Sequence, residues 1–262
     1  MKNHILRLES SINSGISGHG SGLIEIIYSF LLPEYKINFF DTIHVNEIGY
    51  DLKESVLKVG RNVYINLWWP MSVNFESVKE EEKKFIRLRL VHRALMMLAD
   101  EDERINKDAL EEIRKRILKN NFSFEFVMEE LPNELLPDIE AKLVVVPENS
   151  LFNIFLYVYK MKERTCRLLI YQGIPVPIYL NDLFSSAGWK DAHHLIISGS
   201  NSEVTIKVDF ENCKIEYQVQ GSTMLKAPYF ELFKSYKYSG EPLDVFVHSL
   251  NPGRKVVVNH DI

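Results

Sequence analysis

The chain has 262 residues, of which 46% are hydrophobic and 26% charged, and its formal charge is −5. This composition is typical of a globular protein and excludes a disordered or fibrous one. The acidic balance argues against a general nucleic-acid binder, which presents a basic face to the phosphates. No apolar run approaches the about 20 residues needed to span a bilayer, so we expect no membrane insertion. The charged start, Met1 to Glu9, is unlike a signal peptide and predicts a cytoplasmic protein.

The chain begins with a predicted loop that leads into a buried element. Residues 1–22 are rich in serine and glycine. Apolar residues from Leu23 to Leu32 then recur at a spacing that favours a helix over a strand, and Pro33 is expected to end it. Before the long helices, we predict strands over 37–45 and 62–69 and leave 51–58 as either a strand or a short helix.

The stretch from Glu76 to Lys119 is the most informative part of the sequence. It contains 23 charged residues in 44, 11 acidic and 12 basic, threaded by a regular apolar stripe. This pattern predicts a charged helical hairpin over about 77–119 that packs on the N-terminal sheet, with its first helix ending near Ala99 and Asn106 as N-cap of the second. The acidic run 100–103 lacks the glycine and downstream glutamate of a calcium loop, which favours a solvated turn.

After the helices the pattern changes to strands joined by tight turns, which predicts antiparallel pairing and an α+β fold. The proline-bounded stretch 131–138 is the predicted boundary. It separates an N-terminal unit of strands and the helical hairpin, 1–133, from a C-terminal antiparallel sheet unit, 139–262, although both can pack as one continuous domain. The predicted elements here are strands over 122–126, 142–146, 151–160, 164–171, 204–210, 215–219, 245–249 and 255–258, and a helix over 228–236.

A glycine-rich loop ahead of the first predicted helix is a candidate anion-binding site. Backbone amides at a helix start favour an anion. The loop lacks the lysine of a phosphate-binding loop, so a plain linker is the other explanation. The histidines show no helical metal-ligand pair and the two cysteines are far apart, so we predict no metal, no cofactor and no catalytic residue set. The residues of the candidate anion site are Gly18, His19, Gly20, Ser21 and Gly22.

Aromatic residues are the candidates for a protein interface. Trp68 and Trp69 are adjacent in a predicted strand, so their side chains point to opposite faces. One of them therefore either packs under a second layer or is exposed. Tyr236 and Tyr238 lie in a tyrosine-rich segment with the same two alternatives. Exposed Trp and Tyr are favoured anchors in protein interfaces, and we predict partner binding at these four residues.

Acidic charge, candidate aromatic anchors and the lack of a catalytic motif together predict a non-enzymatic, cytoplasmic protein-binding protein. Its partner is expected to be a basic protein, as for an inhibitor or immunity-type protein that neutralises a basic toxin or nuclease. The alternative is an enzyme or small-ligand-binding protein with a site assembled from distant residues. It would use the Gly18–Gly22 loop for an anion and His19 or His92 as an acid–base group. A third hypothesis is an assembly subunit that pairs through an open sheet edge.

Overall fold

The protein has an α+β fold with mostly antiparallel strands, as the sequence predicts. It divides into two compact units, one formed by residues 1–124 and 147–150 and the other by residues 125–146 and 151–262. The division of the chain at 133 and 139 stays a prediction. A computed structural model describes residues 7–10, 22–48, 52–68, 78–148, 152–173, 186–198, 204–211, 214–219 and 255–260.

The first unit contains a mixed four-stranded sheet in the order β1-β2-β4-β3. Strand β2 is parallel to both β1 and β4, and β3 is antiparallel to β4 at the edge. The parallel pairing of β1 and β2 requires a crossover, which the helix between them supplies. Apolar residues at every second position of β2 and β4 are buried on one face. The strands are β1 (Arg7–Ser10), β2 (Thr42–Ile48), β3 (Ser55–Val59) and β4 (Asn62–Trp68).

The described residues of this unit form three helices: α1 (Leu23–Glu34), α2 (Glu80–Glu101) and α3 (Lys107–Lys119). The predicted helical hairpin is confirmed, and α2 packs on β3 and β4 while α1 contacts β1 and both other helices. Helix α1 includes Pro33 and ends one residue later. Pro33 has no backbone N–H to donate within the helix, in agreement with the end of α1 at the next residue.

The turn between α2 and α3 differs in part from the sequence expectation. Asn106 caps α3 as predicted, and its side-chain oxygen accepts a 2.8 Å hydrogen bond from the Asp108 amide. Asp102, expected in a solvated turn, is instead buried with 7% exposure. Its carboxylate accepts hydrogen bonds from Lys58 at 2.9 Å and from Arg104 at 2.7 Å. Two cations therefore compensate the loss of water around this charge.

Two predicted strands begin later in the chain than expected. The segment predicted over 37–45 is irregular until Thr42, where β2 starts. The strand predicted over 122–126 begins only at Phe126, where β5 starts, because Asn121 and Phe122 have positive φ angles of 48° and 62° and turn the chain after α3. Phe122 and Phe124 are nevertheless buried, since the turn points them into the core. Their alternating apolar pattern was the source of the error.

The second unit contains two sheets, one in the order β5-β6-β7-β8 and one in the order β13-β12-β11-β10-β9. The hairpin of β11 and β12 is confirmed, with Lys207 opposite Glu216. Strand β13 is parallel to β12. Tight turns between consecutive strands predict only antiparallel pairs, so the sequence pattern does not indicate this pairing. The predicted helix over 228–236 and strand over 245–249 lie outside the described residues. The strands are β5 (Phe126–Pro132), β6 (Ile139–Pro147), β7 (Phe152–Lys160), β8 (Glu163–Gly173), β9 (Ser186–Trp189), β10 (His194–Ser198), β11 (Val204–Asp209), β12 (Lys214–Val219) and β13 (Lys255–His260).

None of the helices that the structure describes combines the length and the apolar character needed to cross a bilayer.

Candidate protein-binding surface

The outer face of the first sheet, opposite the helices, carries exposed apolar side chains on β3 and β4. Strand alternation directs the even-numbered residues of β4 away from buried Val63 and its neighbours. In the β3–β4 register, Leu57 lies opposite Tyr64. Leu57 is 56% exposed, Val59 55% and Trp68 38%. We call Leu57, Val59, Tyr64 and Trp68 the outer patch.

Trp68 is held in place at the end of β4 by an ion pair. Its amide donates a 2.9 Å hydrogen bond to a carboxylate oxygen of Glu54, and its carbonyl accepts one of 3.0 Å from Arg93. The Arg93 guanidinium also donates to both carboxylate oxygens of Glu54, at 2.8 and 3.0 Å. The exposed indole therefore projects from a fixed backbone, which lowers the entropy lost when it is buried by a partner.

A row of polar side chains crosses the same face of the sheet. The amide of Asn46 donates a 3.2 Å hydrogen bond to Asn66, which in turn donates to the hydroxyl of Ser55 at 3.0 Å. Next to this row, the rings of His44 and Tyr64 stack with centroids 4.8 Å apart and an interplanar angle of 10°. An apolar patch bordered by partly satisfied amides and hydroxyls has the composition of a protein interface.

The described residues include one of the four predicted partner-binding positions. Trp68 lies in the outer patch, whereas Trp69, Tyr236 and Tyr238 lie outside the described residues. Leu57 and Val59 did not appear among the predicted site residues, because segment 51–58 fitted either a strand or a short helix. In a strand, residues two positions apart lie on the same face, so Leu57 and Val59 share a face once the segment is known to be a strand.

Most of the candidate anion site lies outside the described residues, which begin in this region with Gly22. Gly22 is the N-cap of α1 and has no side chain to accept a hydrogen bond from the first turn of the helix. A Cβ atom built on Gly22 would lie 1.9 Å from a guanidinium nitrogen of Arg87 and 2.7 Å from a carboxylate oxygen of Glu25. Any side chain at this position would therefore have to displace the ends of Arg87 and Glu25. The anion site over 18–22 stays a prediction.

His92, a candidate acid–base group, is buried between the three helices. Its Nε2 lies 2.9 Å from the Glu111 carboxylate on α3, and its Nδ1 lies 3.2 Å from the Tyr28 hydroxyl on α1. The hydrogen bond from His92 holds the pKa of Glu111 below its ordinary value. Since an ionised carboxylate only accepts, Nε2 carries the proton, and in the neutral ring Nδ1 then accepts from Tyr28. Burial raises the pKa of Tyr28 above its ordinary value, which keeps the hydroxyl protonated as this donor.

This Glu111–His92–Tyr28 chain connects the helices. Tyr28 is fully buried and His92 is 8% exposed, whereas the Glu111 side chain is 38% exposed. The described residues contain no group of three or more histidine, cysteine or acidic side chains arranged to hold a metal ion. Cys166 lies half-buried on β8, and Cys213 lies outside the described residues. Comparison of the chain with family models, curated proteins and solved structures gave no match.

Proposed function

We propose that this protein acts without catalysis by binding another protein through the outer patch. The observation that carries the proposal is the set of three large apolar side chains, each more than one third exposed, on the sheet face opposite the helices. Covering such side chains is favourable by about 25 cal/mol for each Å² of apolar surface removed from water. Trp68 is suited to be the central anchor, because tryptophan is enriched among residues that dominate binding energy.

The expected partner is a basic protein, since the chain has 36 acidic and 31 basic side chains. An acidic surface raises the association rate of a basic partner and disfavours acidic ones. The concrete form of the proposal is a cytoplasmic inhibitor or immunity-type protein that covers the functional surface of a basic toxin or nuclease.

The test is capture of partners on the tagged protein from a lysate of its source cell, followed by native mass spectrometry of the eluate. Three baits are compared: the unchanged protein, the double variant Leu57→Ser/Trp68→Ala, and the control Leu118→Gln. Leu118 is 40% exposed on α3, so the control removes an apolar side chain of similar exposure from a different surface. Circular dichroism of each bait verifies that its helices are intact.

We expect one stoichiometric, basic protein on the unchanged bait and on Leu118→Gln, and its loss on the double variant. Because salt screens charge–charge attraction, the same protein should elute when the ionic strength is raised well above physiological. Retention of identical proteins by all three baits, or of a metal or small molecule in place of a protein, would refute the proposal.

A further inference from the structure

The two most exposed large apolar side chains of the described residues lie at one end of the β5–β8 sheet. Leu135, in the turn between β5 and β6, is 65% exposed, and Met161, in the turn between β7 and β8, is 72% exposed. The turns are in direct contact, because the Met161 amide donates a 2.8 Å hydrogen bond to the carbonyl of Asp138. We call Leu135 and Met161 the turn pair.

The turn that carries Leu135 is tied to the rest of the second unit through a buried amide. Asn133 is buried, with 2% of the residue exposed. Its side-chain oxygen accepts hydrogen bonds from the amides of Leu135 and Leu136, both at 3.0 Å. Its nitrogen donates to the carbonyl of Ala192 at 2.9 Å, in the turn between β9 and β10. The apolar side chain of Leu135 is therefore exposed on a backbone that is already ordered before any partner binds.

The charge around the turn pair selects the kind of partner. Residues 125–140 contain six acidic side chains and no basic one. Lys142 pairs with two of them, Glu130 at 2.8 Å and Glu140 at 3.4 Å. Glu134 and Asp138, the two carboxylates within the turn itself, form no ion pair with a described residue and are exposed. The turn that carries Met161 is itself basic, with Lys160, Lys162 and Arg164 against Glu163, and Arg164 lies 4.0 Å from Glu125. Residues 125–142 and 160–164 together hold seven acidic and four basic side chains, so the surroundings of the turn pair are acidic on balance.

We infer that the turn pair is a second contact surface, whose occupant is a basic segment of a protein partner that carries at least one apolar side chain. The apolar side chain covers Leu135 and Met161, and the basic residues approach Glu134 and Asp138. This inference rests on the proposed function, to which it adds the chemistry of the partner. Apolar contact at the centre with charges at the rim is the usual arrangement of a small interface.

The experiment is a selection of random linear peptides displayed on phage against the full-length protein. Enriched peptides are synthesised and their dissociation constants measured by fluorescence anisotropy on four proteins and one control variant. These are the unchanged chain, Leu135→Ser/Met161→Asn, Glu134→Gln/Asp138→Asn and Trp68→Ala. Asparagine is used at Met161 because the φ of 50° there lies in the left-handed region, which asparagine tolerates. Leu118→Gln again controls for loss of an exposed apolar side chain.

We expect peptides with several basic residues and at least one apolar residue, whose affinity falls about tenfold or more on Leu135→Ser/Met161→Asn, as for an interface anchor. A smaller, salt-dependent loss is expected on Glu134→Gln/Asp138→Asn, and no loss on Trp68→Ala or Leu118→Gln. Failure to enrich such peptides, or equal affinity for the turn-pair variant and the unchanged chain, would overturn the inference.

Two outcomes separate this inference from the proposed function. Peptides that lose affinity on Trp68→Ala alone would remove the turn pair as a binding surface and leave the outer patch in place. Peptides that depend on the turn pair, in the absence of any captured partner that depends on the outer patch, would support the inference and refute the proposed role of the outer patch. A dimer of the chain that disappears on Leu135→Ser/Met161→Asn would show that a second copy is the occupant and would overturn the basic-partner assignment.

Discussion

The hydrogen-bonded chain between the three helices predicts how substitutions of Tyr28 and His92 combine. Tyr28→Phe removes a fully buried hydroxyl and leaves Nδ1 of His92 without a donor. A buried polar atom left unsatisfied costs about 1–3 kcal/mol. We therefore expect Tyr28→Phe to lower the free energy of unfolding by about 2 kcal/mol.

His92→Leu should lower the free energy of unfolding by about 3 kcal/mol, more than Tyr28→Phe. It leaves the Tyr28 hydroxyl buried without an acceptor and also removes the hydrogen bond to Glu111. Glu111 is expected to contribute little to this cost. Its side chain is 38% exposed, so water can replace the lost partner. The double variant Tyr28→Phe/His92→Leu removes both the Tyr28 hydroxyl and the His92 ring, so neither group is left buried without its partner. Its cost should therefore fall short of the sum of the single costs by about 1 kcal/mol or more.

The assay is urea denaturation followed by far-ultraviolet circular dichroism, which includes the signal of the described helices, all of which belong to the first unit. Tyr64→Phe is the matched control. It makes the same chemical change at a half-buried hydroxyl of the outer patch, so its effect should stay within about 0.5 kcal/mol. Costs of Tyr28→Phe and His92→Leu that add within about 0.5 kcal/mol in the double variant would refute the coupling and the hydrogen bond on which it depends.

Two further substitutions test the buried Asp102 and the start of α1. The hydrogen bond from Arg104 holds the pKa of Asp102 well below its ordinary value, so the stabilisation is fully present above the unfolded-state pKa and is lost as pH falls through the folded-state pKa. Asp102→Asn should thus lower the free energy of unfolding by about 1–3 kcal/mol at neutral pH and by progressively less in acid. Urea denaturation at several pH values measures this difference, and a difference that does not change with pH would contradict the expectation. Gly22→Ala should lower the thermal midpoint, because the new Cβ displaces Arg87 and alanine is a poorer N-cap than glycine. Gly188→Ala, which meets no atom within 4 Å, should leave the midpoint nearly unchanged, and equal shifts for the two alanine variants would contradict the proposed packing.

Elements with a local signal are readable from the amino-acid sequence alone. The helical hairpin follows from apolar residues at helical spacing together with the Asn106 cap, and the β11–β12 hairpin follows from alternation on both sides of a short turn. In both, the residues that contact each other are close in the chain, so their periodicity is readable without knowledge of the fold. The exposure of aromatic anchors was predicted only as a pair of alternatives, and at Trp68 the fold shows the exposed one.

Contacts between residues far apart in the chain are visible only in the folded structure. Parallel pairing of β2 with β4 and of β12 with β13 joins strands that no tight turn connects. His92 bonds to Tyr28 across 64 residues of chain, and Asp102 is buried because Lys58 approaches from 44 residues away. The turn pair exists because two separate hairpins end side by side. Such contacts depend on how whole strands and helices pack, and the energy of that packing is shared among many residues, so no short stretch of sequence encodes it.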